Sequence, residues 1–148
     1  MKLISNFTKG FTLIELLVVV AIIGVLSSLL MVNFIGIRQR GRDAQRKSDL
    51  KQIQSSLEFY RTDIGSYPSS FPACGSSFKS SDGTVTYMNK VPCDPLNSGQ
   101  FVYTYSSGGT TYQIIACLEN TNDSQKDQTN NNTYCTGGTT NWSYTVQN

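Results

Sequence analysis

Histidine is absent from the 148-residue chain. That removes the commonest general base, the Ser/His/Asp and Cys/His nucleophile pairings and the commonest metal ligand together. Charge of one sign is also scarce: 12 Lys and Arg stand against 10 Asp and Glu, a formal net charge of +2. Lys2 and Lys9 account for that excess, so no chain-wide basic bias points to nucleic acid, and none is expected as a partner. Cysteine is missing from the first 73 residues, and the four present, Cys74, Cys93, Cys117 and Cys135, include no C-x-x-C pair of the kind zinc sites use. No carboxylate pair or nucleophile setting stands out. The sequence therefore predicts a protein that is not an enzyme, with no catalytic residue, no metal and no cofactor.

The length allows one modest folded domain and one long hydrophobic element. Residues 1–10, MKLISNFTKG, carry two positive charges and no acid, and read as a leader peptide. From Phe11 to Val32 the chain is almost wholly apolar, and about 20 helical residues at roughly 1.5 Å each match a bilayer core of roughly 30 Å. A single membrane span is expected, and with no A-x-A-like cleavage site after it the segment should stay attached. Beyond lies a basic run from Arg38 to Lys51, and then Leu50, Ile53, Leu57, Tyr60 and Ile64 fall on one helical face. This predicts one helix from about Thr12 to about Asp63, ending near Gly65 and Tyr67-Pro68. The basic run either contacts DNA or solvates the helix and meets acidic residues of neighbours; its own Asp43 and Asp49 favour the second reading.

Residues 66–100, with Pro68, Pro72, Pro92 and Pro95, read as loop-rich with no regular core. FVYTYS at 101–106 and TTYQIIAC at 110–117, separated by Ser107-Gly108-Gly109, predict a β-hairpin near 101–117. Residues 119–141 are rich in Asn, Thr, Asp and Gly and read as loop, with a possible last strand at Trp142–Val146. An even cysteine count in a small head suggests disulfides in an oxidising compartment. Three connectivities are open, of which Cys74–Cys93 with Cys117–Cys135 closes the shortest loops. Asn122-Asp123-Ser124, Asn131-Asn132-Thr133 and Asn141-Trp142-Ser143 match glycosylation sequons, which a run this rich in Asn and Thr yields by chance.

Glu15 stands inside the apolar run, where an acid costs on the order of 2.5 to 3.5 kcal/mol at mid-bilayer. It is either an interfacial acid or one with a dedicated partner. Lys9-Gly10-Phe11-Thr12-Leu13-Ile14-Glu15, followed by the apolar helix, resembles the class III leader of type IV pilins and their pseudopilin relatives. That resemblance implies an α+β pilin fold: a long N-terminal helix, half transmembrane (11–37) and half amphipathic (38–65), packed on a small antiparallel sheet within a head at 66–148. It implies cleavage between Gly10 and Phe11 by a prepilin peptidase, N-methylation of Phe11, and pairing of Glu15 with the Phe11 amine of a neighbouring subunit. Phe11, Glu15 and Gly24 would be the assembly residues, Gly24 by permitting close helix packing. The family's helix-breaking proline eight residues after that glycine is replaced here by Val32.

Leu50 to Pro68, Tyr87 to Pro95, Phe101 to Tyr105 and Tyr112 to Ile115 are similar to stretches of the major pseudopilins of type II secretion systems. The implied function is a structural subunit of a type IV pilus-like or type II secretion pseudopilus filament. The implied partners are other copies of the chain, related minor pilins, the prepilin peptidase, an inner-membrane assembly platform and the membrane. The head would face outward from a single pass through the inner membrane, and the assembled filament would be periplasmic or extracellular. A positive-inside count opposes that topology, because Arg38, Arg40, Arg42, Arg46, Lys47 and Lys51 outnumber the two leader lysines. Major pseudopilins often bind calcium in a C-terminal loop; Glu119, Asp123 and Asp127 offer oxygen ligands in a comparable region, but their spacing reads as a solvated loop. The alternative function is a single-span membrane protein that does not assemble and whose disulfide-bonded head binds an extracellular ligand.

Overall fold

The computed structural model describes residues 10–137 and 140–148, without the side chains of residues 29–33. The leader residues 1–9, with Lys2 and Lys9, lie outside the described residues. The chain divides into two compact units, Met1–Ile37 and Arg38–Asn148.

A single helix, α1 (Leu13–Ile64, 52 residues), contributes to both. No proline occurs before Pro68, so every backbone N–H needed for the i to i−4 ladder is present. In the first unit all described side chains of residues 11–28 and 34–37 are exposed. Among the described residues no helix is long and apolar enough to cross a membrane; the expected span, Phe11 to Val32, includes four of the side chains that are not described.

In the second unit the helix buries Leu50, Ile53 and Leu57, at most 1% exposed, along the expected face, with Tyr60 packed beside them. Ile64 departs from expectation at 48% exposed. The helix stops immediately after it: Gly65 has φ +85° and donates its N–H to the Arg61 carbonyl at 2.7 Å, a left-handed cap open to glycine without a Cβ penalty. The chain turned there brings in Tyr67 instead, whose ring meets Tyr112 edge-on at 4.5 Å. Its hydroxyl donates to Glu58 at 3.0 Å.

Two short strands follow, β1 (Phe78–Lys79) and β2 (Thr86–Met88), paired antiparallel. A three-stranded antiparallel sheet comes next, β3 (Thr104–Ser107), β4 (Tyr112–Leu118) and β5 (Trp142–Gln147), in that spatial order. Thr104 pairs with Ile115 across β3 and β4, and Leu118 with Trp142 across β4 and β5. The period of two along β4 sorts its side chains. Tyr112, Ile114, Ala116 and Leu118 join the core against the helix, while Ile115 and Cys117 form a second cluster with Cys135 and Phe101. The polar segment at 119–137 thus covers the sheet's outer face, tethered by the Cys117–Cys135 disulfide.

The 66–100 region carries more core than its sequence suggests. Phe78 packs against Tyr60 at 5.2 Å, Phe71 at 4.9 Å and Tyr87 at 5.4 Å between ring centroids, and Met88 and Val91 join the same cluster. Strands of two and three residues are too short to leave a periodic signal. The second disulfide, Cys74–Cys93, closes this region. The whole is an α+β arrangement of a long N-terminal helix against a small antiparallel sheet.

Candidate functional site

Glu15 is the sole charged residue between Phe11 and Ile37. Its carboxylate Oε2 accepts hydrogen bonds from the Thr12 backbone N–H at 2.9 Å and the Thr12 hydroxyl at 2.8 Å, and the Glu15 N–H donates to Thr12 Oγ1 at 3.3 Å. This reciprocal pairing is a capping box, which satisfies two of the donors that a helix start leaves without partners. Its sequence signal is Thr12-x-x-Glu15 before an apolar run. Phe11 is 78% exposed beside it. Gly24 sits in open space, and a Cβ there would meet nothing within 4 Å; within one chain no close approach requires the glycine.

The second constellation lies in the head, where the basic run of the helix departs from a solvated face. Arg46 is 0% exposed. Its guanidinium grips Asp94 with two bonds, Nε to Oδ2 at 2.7 Å and Nη2 to Oδ1 at 3.0 Å, and Nη1 reaches Asp43 at 2.8 Å and Glu119 at 2.7 Å. Arg42 forks onto Glu119 at 2.6 and 2.5 Å, and Lys47 pairs with Asp123 at 2.8 Å. The Asp43 carboxylate also accepts the backbone N–H groups of Glu119 at 2.9 Å and Asn120 at 2.8 Å, pinning the chain just past β4 to the helix. The Arg46 guanidinium stacks on the Phe101 ring, 4.8 Å from its centroid.

Such a network is stable when every buried charge is paired and hydrogen-bonded. Burial works to lower the Arg46 pKa, but the bonds to Asp94 and Glu119 outweigh it and hold the group firmly charged. The Arg42 hydrogen bond keeps Glu119 below the usual glutamate range, against the opposing effect of burial and with help from Arg46. Asp123 is pushed up by burial yet ends below its usual value because of Lys47.

The three possible oxygen ligands are taken up separately. Glu119 serves Arg42 and Arg46, Asp123 serves Lys47, and Asp127 accepts from the Thr145 N–H at 3.0 Å and hydroxyl at 2.7 Å. Among the described residues no three His, Cys, Asp or Glu side chains gather as a metal site. The cysteines pair as Cys74–Cys93 and Cys117–Cys135, the adjacent connectivity of the three that the sequence left open.

Residues 6–31 match the prokaryotic N-terminal methylation motif, and residues 33–135 match the type II secretion system protein G family. The chain is 32% identical over 119 residues to a type II secretion system core protein G of Dickeya chrysanthemi, covering 73% of this chain and 68% of that one. It is 31% identical over 110 residues to the core protein G of Pseudomonas aeruginosa, covering 69% and 75% respectively. To the major component of the type IV wide pilus of Thermus thermophilus it is 40% identical over 80 residues, 53% of this chain and 61% of that one. No solved structure matches the chain significantly. A long helix on a small antiparallel sheet, a capped apolar N-terminal segment and these matches agree: the chain belongs to the type II secretion system protein G family and is a structural filament subunit of the pilin and pseudopilin kind.

Proposed function

We propose that a prepilin peptidase cuts this chain between Gly10 and Phe11, that the new Phe11 terminus is N-methylated, and that the product polymerises with Glu15 of one subunit against the Phe11 amine of the next. The observation that carries the reading is the position of Glu15: one carboxylate in an otherwise uncharged 11–37 segment, at the exposed start of the helix. A buried ammonium needs an opposite charge within reach, and breaking such a pair costs far more than a surface ion pair is worth. Gly10 offers the peptidase a backbone without a side chain in the way. The exposed apolar side chains of residues 11–28 and 34–37 gain packing partners when equivalent helices assemble, and Gly24 admits a neighbouring helix closely.

In this reading the chain waits in the inner membrane with its head outside, enters the filament through an inner-membrane assembly platform alongside minor pilins, and catalyses nothing. Arg42, Arg46 and Lys47 bear on the topology. Their charges are matched by Asp94, Glu119 and Asp123 of the head, so they belong to a folded domain rather than to a basic loop that would hold the cytosolic side.

The assembly role is tested by co-expressing full-length Glu15→Ala with the peptidase and assembly platform. The variant should be processed like wild type yet yield few or no filaments by electron microscopy. Wild-type filament numbers from processed Glu15→Ala would remove Glu15 from the mechanism.

A further inference from the structure

The head carries an exposed aromatic and a cleft with an apolar floor on different parts of its surface. Phe59 is 65% exposed. It follows the buried Leu57 by two residues, about 200° around the helix, and so stands on the side away from the core. Gln52, Ser55 and Ser56 lie beside it along the helix, facing Tyr87 to Lys90 across a shallow groove. Nothing in the head's own packing calls for an aromatic at this position, because Leu50, Ile53 and Leu57 already meet the sheet.

The cleft, of about 520 Å³, is lined by the buried Ile53, Val91 and Ile114 and by Phe71 and Val102, with Ser69, Ser70, Asn97 and Thr104 as its uncharged polar lining. A cavity of about 150 Å³ holds a benzene ring, so one phenyl side chain fits with room to spare. The one charged residue lining the cleft, Asp94, is already neutralised by Arg46, so an incoming ring meets no unpaired charge. The cleft and the groove beside Phe59 share no lining residue.

A knob and a hole at different places on one molecule are the elements of a heterologous contact, which repeats into an open helical array when its rotation does not close. We propose that, in the filament, Phe59 of one subunit inserts into the cleft bounded by Phe71, Val91 and Val102 of a second copy of this chain. The proposal rests on the filament reading above and adds a head-to-head contact to it. Aromatic side chains, phenylalanine among them, are enriched at protein interfaces relative to the rest of the surface.

The test places a photoreactive benzoylphenylalanine at position 59 of the full-length chain, expressed with the peptidase and assembly platform, and maps the cross-links made in isolated filaments. Cross-links should join position 59 of one copy to residues 69–74 or 102–105 of another. Phe59→Glu should lower filament yield about tenfold or more, while the melting temperature of the unassembled chain stays unchanged because Phe59 is exposed. Filaments whose cross-links from position 59 land elsewhere, or Phe59→Glu filaments at wild-type yield, would overturn the contact and leave the filament reading standing. A wild-type chain that is neither processed nor assembled would overturn both. A closed two-subunit cross-linked species without filaments would contradict the open geometry.

Discussion

Arg46 holds a full charge with none of its side chain exposed, and three carboxylates share it. Removing one partner of a buried ion pair costs about 3 to 5 kcal/mol, because the remaining charges stay buried without compensation. Arg46→Ala should therefore lower the denaturation free energy of the full chain in detergent by about that amount. The sequence hid this: an arginine in a basic, amphipathic helix reads as solvated, and the one local hint is Asp43 three residues before it. Asp94 and Glu119 lie 48 and 73 residues away, beyond any pattern of spacing.

Glu119 makes the head sensitive to acid. Its folded pKa lies below the ordinary value of 4.5, so the stability it contributes is fully present above that value and is lost as pH falls through the folded pKa. Asp49 acts in the other direction, since burial raises its carboxyl despite the hydrogen bond from Tyr103. Comparing Glu119→Gln with wild type separates the two. The variant should be less stable at neutral pH and should lose less stability than wild type on acidification below pH 4.5. Parallel curves for the two proteins in a denaturant titration across that range would show that Glu119 does not carry the dependence.

Elements built on regular periods were the legible part. The 3-4-3 spacing of Leu50, Ile53, Leu57 and Tyr60 marked the face that packs on the sheet, and Gly65 marked the stop. Aromatic alternation at 101–106 and the β-rich run at 110–117, on either side of Gly108-Gly109, marked the pairing of β3 with β4. The outer face of β4 was not legible, because its cover, the segment at 119–137, is polar in composition and is held by the Cys117–Cys135 bridge and hydrogen bonds such as Trp142 Nε1 to the Asp127 carbonyl at 2.6 Å.

Two substitutions separate these contributions. Leu57→Ala, at a fully buried helix position, should cost about 2 to 5 kcal/mol. Replacing both Cys117 and Cys135 by alanine removes a bridge between residues 18 apart, for an expected loss of about 3 kcal/mol. Thermal or denaturant unfolding reads both. If the cysteine pair proves neutral, the segment at 119–137 is held by its hydrogen bonds rather than by the bridge.

At the scale of the molecule, two kinds of surface divide the work. Residues 11–28 and 34–37 present exposed apolar side chains interrupted by one acid, and the head pairs its charges internally through Arg42, Arg46 and Lys47. A filament subunit needs both: a stalk whose apolar surface is completed by its neighbours, and a head that folds without them. The measurement that tests this account most directly is the intact mass of the full-length chain co-expressed with a prepilin peptidase, alongside Gly10→Ala. The account predicts a wild-type product beginning at Phe11, carrying a methyl group on its terminus, and a Gly10→Ala chain that keeps its leader. A wild-type chain that retains Met1, under conditions that process a control prepilin, would contradict it.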